Sequence, residues 1–218
     1  MRIGILGGSF NPPHFGHLAL ARAALETGEV ECVLFIPAAT PPHKVIPSGT
    51  NPEMRYEMTL LLAKEDAHMA VDPLELERTG PSYTIDTLHE LAGQNPGNTY
   101  RLIIGSDMAL MFSKWKDYRE ILRLAPPLIA ERPDALLRRT QSPTEMFRDL
   151  DSRDAEVLFA GLFPMEPVPI NSTLIRERIQ AGAEDEEMLR YLPATVLAYI
   201  KKHGLYEDEI VKKVEEKK

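Results

Sequence analysis

The sequence predicts an α/β protein, a doubly wound parallel sheet with helices gathered at the C-terminal end. Three observations carry this prediction. Short apolar runs that read as buried strands alternate with longer helix-forming stretches along the chain. A glycine-rich turn directly follows the first of those runs, where open α/β sheets place ligand sites. No repeat or linker divides the chain, so residues 1–206 are expected to form one domain and residues 207–218 a charged tail.

Taken in order, residues 1–6 read as the first buried strand, and Gly7-Gly8-Ser9 as the turn that ends it. Residues 18–26 are rich in helix formers, with Leu18, Ala21 and Leu25 on one face. Residues 32–36 read as a second strand, stopped by Pro37. The proline-rich stretch 38–52 has no periodicity, and a long loop after a strand is a common place for function. Asn51-Pro52 offers an N-cap and a first-turn proline for a helix through Met54, Met58, Leu61 and Leu62. Residues 69–72 are a weak strand. Ser82 is expected to cap a helix carrying Ile85, Leu88 and Leu91, which breaks near Gly93 and Pro96. Residues 99–104 read as a strand, residues 108–124 as helical pieces around Trp115, and residues 127–130 as another strand. Residues 134–154 are charged without a core pattern and predict a surface helix or extended loop. Residues 156–159 read as a strand. Asn171-Ser172-Thr173 starts a helix that runs to Ile179 and stops near Gly182, and Pro193 opens the last helix. The tail from Glu207 is expected to be solvated.

The 218 residues, 44% hydrophobic and 27% charged, have the composition of a globular protein with one full core. A net charge of −8 argues against general nucleic-acid binding, which needs a broad basic surface, but permits a small basic pocket. No apolar run reaches membrane-spanning length and no leader pattern opens the chain, so no membrane partner is expected. The single cysteine, Cys32, allows no internal disulfide and is expected to be a buried thiol in a reducing, cytoplasmic setting. Assembly into a homo-oligomer is compatible with the sequence.

Chemistry concentrates in Gly7-Gly8-Ser9-Phe10-Asn11-Pro12-Pro13-His14-Phe15-Gly16-His17. Glycines let backbone N–H groups approach an anion, and the helix that follows aims its positive end at the same place. His14 and His17 stand at its mouth, with Gly16 expected to leave room for a ligand. The dinucleotide fingerprint and a Walker lysine are both absent. A second cluster, Asn171-Ser172-Thr173-Leu174-Ile175-Arg176, puts small polar residues at a helix start and an arginine a turn later, a pattern that suits phosphate oxygens. An ordinary N-cap followed by a surface arginine is the alternative.

The first cluster resembles the signature of the nucleotidyltransferase superfamily, a His/Thr-x-Gly-His motif between strand and helix. The second resembles its Ile-Ser-Ser-Thr-x-Ile-Arg signature, with Asn171 in place of the first serine. Pro41-Pro42-His43-Lys44, Gly105-Ser106-Asp107, Gly80-Pro81-Ser82-Tyr83-Thr84, the tryptophan between Lys114 and Lys116, and Glu131-Arg132-Pro133 are similar to segments of the bacterial nicotinate-nucleotide adenylyltransferase family. The resemblance runs from residue 2 to about 206 and is least characteristic over residues 134–154. It implies a Rossmann-like nucleotidyltransferase fold and transfer of AMP from ATP to nicotinate mononucleotide. Catalysis would fall to His14, His17, Lys44 and Arg176. ATP would be bound through Gly7, Gly8, Ser9, Phe10, Gly16, Gly105, Asp107, Ser172 and Thr173. The acceptor would lie on Ser82, Tyr83, Thr84, Trp115 and Arg132. Mg²⁺ is expected to arrive on the ATP phosphates, because no cluster of acidic ligands accompanies the motifs. Pantetheine-phosphate adenylyltransferase shares the first motif but generally has a shorter chain without the Ser-Tyr-Thr and tryptophan segments. A nucleotide-binding regulator without turnover is the alternative from another class.

Overall fold

The computed structural model describes residues 1–42, 46, 50–131, 142–166 and 168–207. Among them, β1 (Arg2–Gly8), β2 (Cys32–Pro37), β3 (Met69–Val71), β4 (Thr99–Gly105), β5 (Pro127–Glu131) and β6 (Leu162–Pro164) form one sheet. Its order is β3-β2-β1-β4-β5-β6, and each neighbouring pair is parallel. Parallel strands need crossovers, and these are supplied by α1 (Phe15–Glu26), α2 (Pro52–Ala63), α3 (Thr84–Gln94), α4 (Ser106–Ala109), α5 (Tyr118–Leu124), α6 (Pro143–Met146) and α7 (Ser152–Ala160). The chain then adds α8 (Ser172–Gln180), α9 (Asp185–Met188) and α10 (Ala194–Lys202).

Strand alternation divides the core into two layers. Ile3, Ile5, Leu102 and Ile104 pack with Leu88 and Leu91 of α3, Ile121 of α5 and Leu158 of α7. Leu6, Val33, Phe35 and Ile103 face the other way, onto Leu18, Ala21 and Ala24 of α1 and Leu62 of α2. Both faces of the sheet are thus covered, as all-parallel strands require. A third cluster joins α8, α9 and α10 to α2 through Met58, Ile175, Met188, Val196 and Ile200. No helix of the described residues is long and apolar enough to cross a membrane.

Several expectations need correction. Both glycines after the first apolar run belong to β1 rather than to a turn. Residues 156–159 are not a strand but lie inside α7, which Asp151 caps by accepting from the Asp154 amide at 2.9 Å. The strand expected there is β6, three residues later. Residues 142–154 are not wholly surface, because Met146 and Phe147 are buried in the first core layer. Tyr83, not Ser82, is the N-cap of α3. Cys32 is half-buried, and burial together with Glu31 pushes its thiol up, which keeps it a protonated packing group. Residues 132–141 and the tail beyond Glu207 lie outside the described residues.

Candidate active site

The strand order reverses about β1, so the loops that leave β1 and β4 diverge and open a crevice at their carboxyl ends. Residues 9–13 leave β1 there, and Gly105 with Asp107 leaves β4. Phe10 takes a positive φ of 46°, which turns its ring inward against Phe35 and against His17 at 4.9 Å between centroids. That ring is 1% exposed, so Phe10 supports His17 from behind and offers a ligand only its backbone.

The two histidines cap α1 together. The Gly16 amide donates to His14 Nδ1 at 3.1 Å, and the His14 amide donates to His17 Nδ1 at 3.2 Å. A neutral imidazole whose Nδ1 accepts must carry its proton on Nε2. Both rings are therefore fixed as Nε2–H donors, with centroids 3.8 Å apart. Burial pushes the His14 imidazole down to about 4, so at neutral pH it donates a hydrogen bond without carrying charge. A Cβ on Gly16 would lie 2.9 Å from the His14 ring. A glycine at this position thus lets the His14 ring fold onto the helix start.

Three helix starts converge on this loop. From α8, Ser172 Oγ donates to the Pro12 carbonyl at 2.9 Å and Arg176 Nη1 to the Asn11 carbonyl at 2.7 Å. Arg176 Nη2 also donates to Thr173 Oγ1 at 3.1 Å. Asn171 caps α8 by accepting from the Leu174 amide. Asn11 is buried, and its Oδ1 accepts from Thr50 at 2.8 Å and from Tyr206, 195 residues away in sequence, at 2.7 Å. From α2, Arg55 donates to the Ser9 carbonyl at 2.8 Å. The structure therefore brings Ser9, Phe10, His14, Gly16, His17, Ser172, Thr173 and Arg176 together, with the positive ends of α1, α2 and α8 around them.

On the β4 side a cavity of ≈ 90 Å³ is lined by Gly7, Gly8, Ile36, Leu102, Ile104, Ser82, Thr84, Glu75 and Trp115. Trp115 is half-buried: its ring packs on Phe112 at 5.1 Å and still forms part of the cavity wall. Tyr83 carries the Lys116 ammonium over its ring at 4.7 Å, joining the tryptophan segment to α3. Among the described residues no side chain caps α3, so the Thr84 amide keeps its hydrogen-bonding capacity at the cavity, while the Tyr83 amide donates to the Pro81 carbonyl at 3.0 Å. Ser82 Oγ instead accepts from the Thr40 amide at 3.2 Å. Glu75 is 7% exposed; its carboxyl accepts from Thr87 at 2.6 Å and from Ser82, while burial pushes its pKa up. Asp107 does not cap α4; it stays exposed, folded over Gly105 with a carboxylate oxygen 2.7 Å from where a Cβ would stand.

Lys44 and Arg132 lie outside the described residues. Among the described residues, no group of three His, Cys, Asp or Glu side chains is placed to hold a metal ion. A larger open depression of ≈ 570 Å³ between His89 and residues 117–120 sits away from the motifs, and its His89, Arg119 and Glu120 are paired with protein groups. Sequence reasoning missed Asn11, Arg55, Glu75 and Tyr206. Asn11 lay inside the histidine motif, and Arg55 left a signal as a charged residue within a mainly apolar helix face.

A parallel sheet with a histidine pair at its reversal point and a second helix start tied to the same loop defines a nucleotidyltransferase-type α/β protein. The cytidylyltransferase-like family matches residues 5–178. A protein of Desulfitobacterium hafniense described as a probable nicotinate-nucleotide adenylyltransferase is 38% identical over 207 residues, 94% of this chain and 95% of that one. A Thermus thermophilus protein with the same description is 40% identical, over 94% of this chain and 100% of its own length. The chain belongs to the nicotinate-nucleotide adenylyltransferase family within the cytidylyltransferase-like group. Among solved structures, the Plasmodium falciparum nicotinic acid mononucleotide adenylyltransferase complexed with NaAD shares the fold. It has a TM-score of 0.69 at 17% identity, over 94% of this chain and 97% of that one.

Proposed function

We propose that this protein transfers AMP from ATP to nicotinate mononucleotide, giving deamido-NAD and pyrophosphate, as the cytoplasmic step that makes this dinucleotide for NAD synthesis. The observation that carries the reading is the histidine pair. Two Nε2–H donors, held by backbone amides at the head of α1, stand where a polyphosphate would meet three positive helix ends. The acceptor's 5′-phosphate, largely ionised near pH 7, attacks the ATP α-phosphorus in line, and pyrophosphate leaves. No strong general base is needed.

His17 donates to the α-phosphate oxygen on which negative charge grows, and His14 to the outgoing pyrophosphate. The guanidinium hydrogens of Arg176 not held by Asn11 and Thr173 reach the β- and γ-phosphates. Ser9, Gly16, Ser172 and Thr173 line the phosphate path, and Gly105 with Asp107 takes the ribose hydroxyls. Lys44 bridges donor and acceptor. Rate enhancement then comes from positioning and from donors oriented before the charge develops. Mg²⁺ enters as part of the substrate, on the ATP phosphates.

The acceptor ring lies in the cavity against Trp115, with its carboxylate on the uncapped start of α3 at Tyr83 and Thr84. An anion gains there from the helix dipole and from the Thr84 amide, since the Tyr83 amide already donates to the Pro81 carbonyl, and a carboxamide gains less. Arg132 is assigned to the acceptor's phosphate. Residues 1–206 act as one catalytic unit.

The test is pyrophosphate release from MgATP with nicotinate mononucleotide, nicotinamide mononucleotide and phosphopantetheine in parallel. Strong preference for the first is expected. Turnover with phosphopantetheine alone would overturn the acceptor, and no turnover with any of the three would overturn the enzyme reading.

A further inference from the structure

We infer that Arg55 is a positioning residue for the transfer: its guanidinium holds the histidine loop and the root of the lysine loop at one fixed separation. The inference rests on the adenylyl-transfer reading above. Arg55 lies in the first turns of α2 and is 1% exposed. Its Nη1 donates to the Ser9 carbonyl at 2.8 Å and to the Ala38 carbonyl at 2.6 Å, and its Nη2 to the Ala39 carbonyl at 3.1 Å. Ser9 begins the loop after β1 that carries His14 and His17. Ala38 and Ala39 begin the loop after β2 that leads to Lys44.

The connection continues into the acceptor cavity. The Ala38 amide donates to the Gly8 carbonyl at 2.9 Å, extending the pairing of β1 with β2 by one residue. Beyond Ala39, the Thr40 amide donates to Ser82 Oγ, and the Ser82 amide returns a bond to the Thr40 carbonyl at 2.9 Å. Ser82 in turn holds Glu75 in the cavity wall. One guanidinium thus stands where the phosphate loop, the lysine loop and the acceptor cavity are joined.

Stability alone gives little reason for a cation at this position. Arg55 sits at the positive end of its own helix, and among the described residues it makes no ion pair. Its Nε is buried without a hydrogen-bond partner among those residues. Burial lowers its pKa, although a guanidinium stays charged at neutral pH. Met58 and Leu62 continue the same buried face, and an apolar side chain at Arg55 would avoid the desolvation of a charge. What an apolar residue cannot supply is a planar fork that reaches three carbonyls on two loops.

The experiment compares the wild-type protein with Arg55→Lys, which keeps the charge and loses the fork, and with Arg55→Gln. Pyrophosphate release is measured per folded molecule, with KM for each substrate, beside amide hydrogen exchange. For Arg55→Lys, kcat is expected to fall by roughly tenfold to a hundredfold, the scale of a small misplacement of reacting groups. Both KM values are expected to stay within about threefold, since Arg55 is 1% exposed and presents no surface to a ligand. Exchange at the Ala38 and Thr40 amides is expected to speed up, while β4 stays protected. A merely structural role would lower the melting temperature and leave kcat per folded molecule unchanged. Wild-type kcat in both variants, or unchanged exchange at Ala38 and Thr40, overturns the inference. If the wild-type protein releases no pyrophosphate, the adenylyl-transfer reading falls, and exchange at those two amides still decides whether Arg55 holds the loops.

Discussion

At the start of α1 two imidazoles are held by the backbone amides they cap, while at the start of α3 no side chain among the described residues caps the helix. The first arrangement uses protein groups to orient donors before any ligand arrives. The second leaves the Thr84 amide at the helix start without a side-chain cap among the described residues. The proposed roles of the two sides account for the difference. Where charge develops during a reaction, donors fixed in advance avoid reorganisation at the critical moment. Where a ground-state carboxylate is to be selected, donors that lack an internal partner favour the anion that completes them.

The contrast is broken most strongly at His17. His17→Ala is expected to lower kcat by about a hundredfold or more, as loss of one preorganised donor does, with a smaller change in KM for nicotinate mononucleotide. Near-normal turnover in steady-state assays would remove His17 from the chemistry. His14 makes a prediction in pH. Its folded pKa of about 4 lies below the ordinary 6.5, so the unfolded chain takes up the proton first as pH falls. The associated stability, about 3 kcal/mol, is fully present above pH 6.5 and is lost progressively as pH drops toward 4. Urea unfolding across this window should show that slope in the wild-type protein and lose it in His14→Gln.

On the acceptor side the effects are smaller. Trp115→Ala is expected to raise KM for nicotinate mononucleotide by about tenfold and leave KM for ATP unchanged, with Trp115→Phe recovering most of the loss. Equal changes in both KM values would place the ring outside the acceptor site. Smallest of all is the cap of α8: Asn171→Ala should reduce stability by about 1 kcal/mol in chemical denaturation. A loss of ATP affinity much beyond that would mean that Asn171 contacts the nucleotide as well as the Leu174 amide.

The alternation of the core was readable because strand and helix periods are local. Thus β1, β2, β4, β5, α1 and α2 lie within a few residues of where the patterns put them. The Val157-Leu158-Phe159 run misled for the same reason. Three apolar residues fit either period, and the deciding contribution comes from Asp151 as the helix cap. On α2 the expected Met54, Met58, Leu61 and Leu62 all pack into the core, and Arg55, Thr59 and Ala63 are buried beside them. An arginine on that stripe was the visible clue. In the site, the histidine motif was legible because its parts are neighbours. The Asn11 hub was not, since its partners Arg176 and Tyr206 lie 165 and 195 residues away.

The most direct test of a donor side built before ATP binds is nitrogen-15 NMR of the imidazoles in the ligand-free protein near pH 7. The structure predicts Nε2-protonated tautomers for both His14 and His17, with His14 remaining neutral on acidification until about pH 4. Nδ1-protonated rings, or a His14 imidazolium already present at pH 6.5, would contradict it.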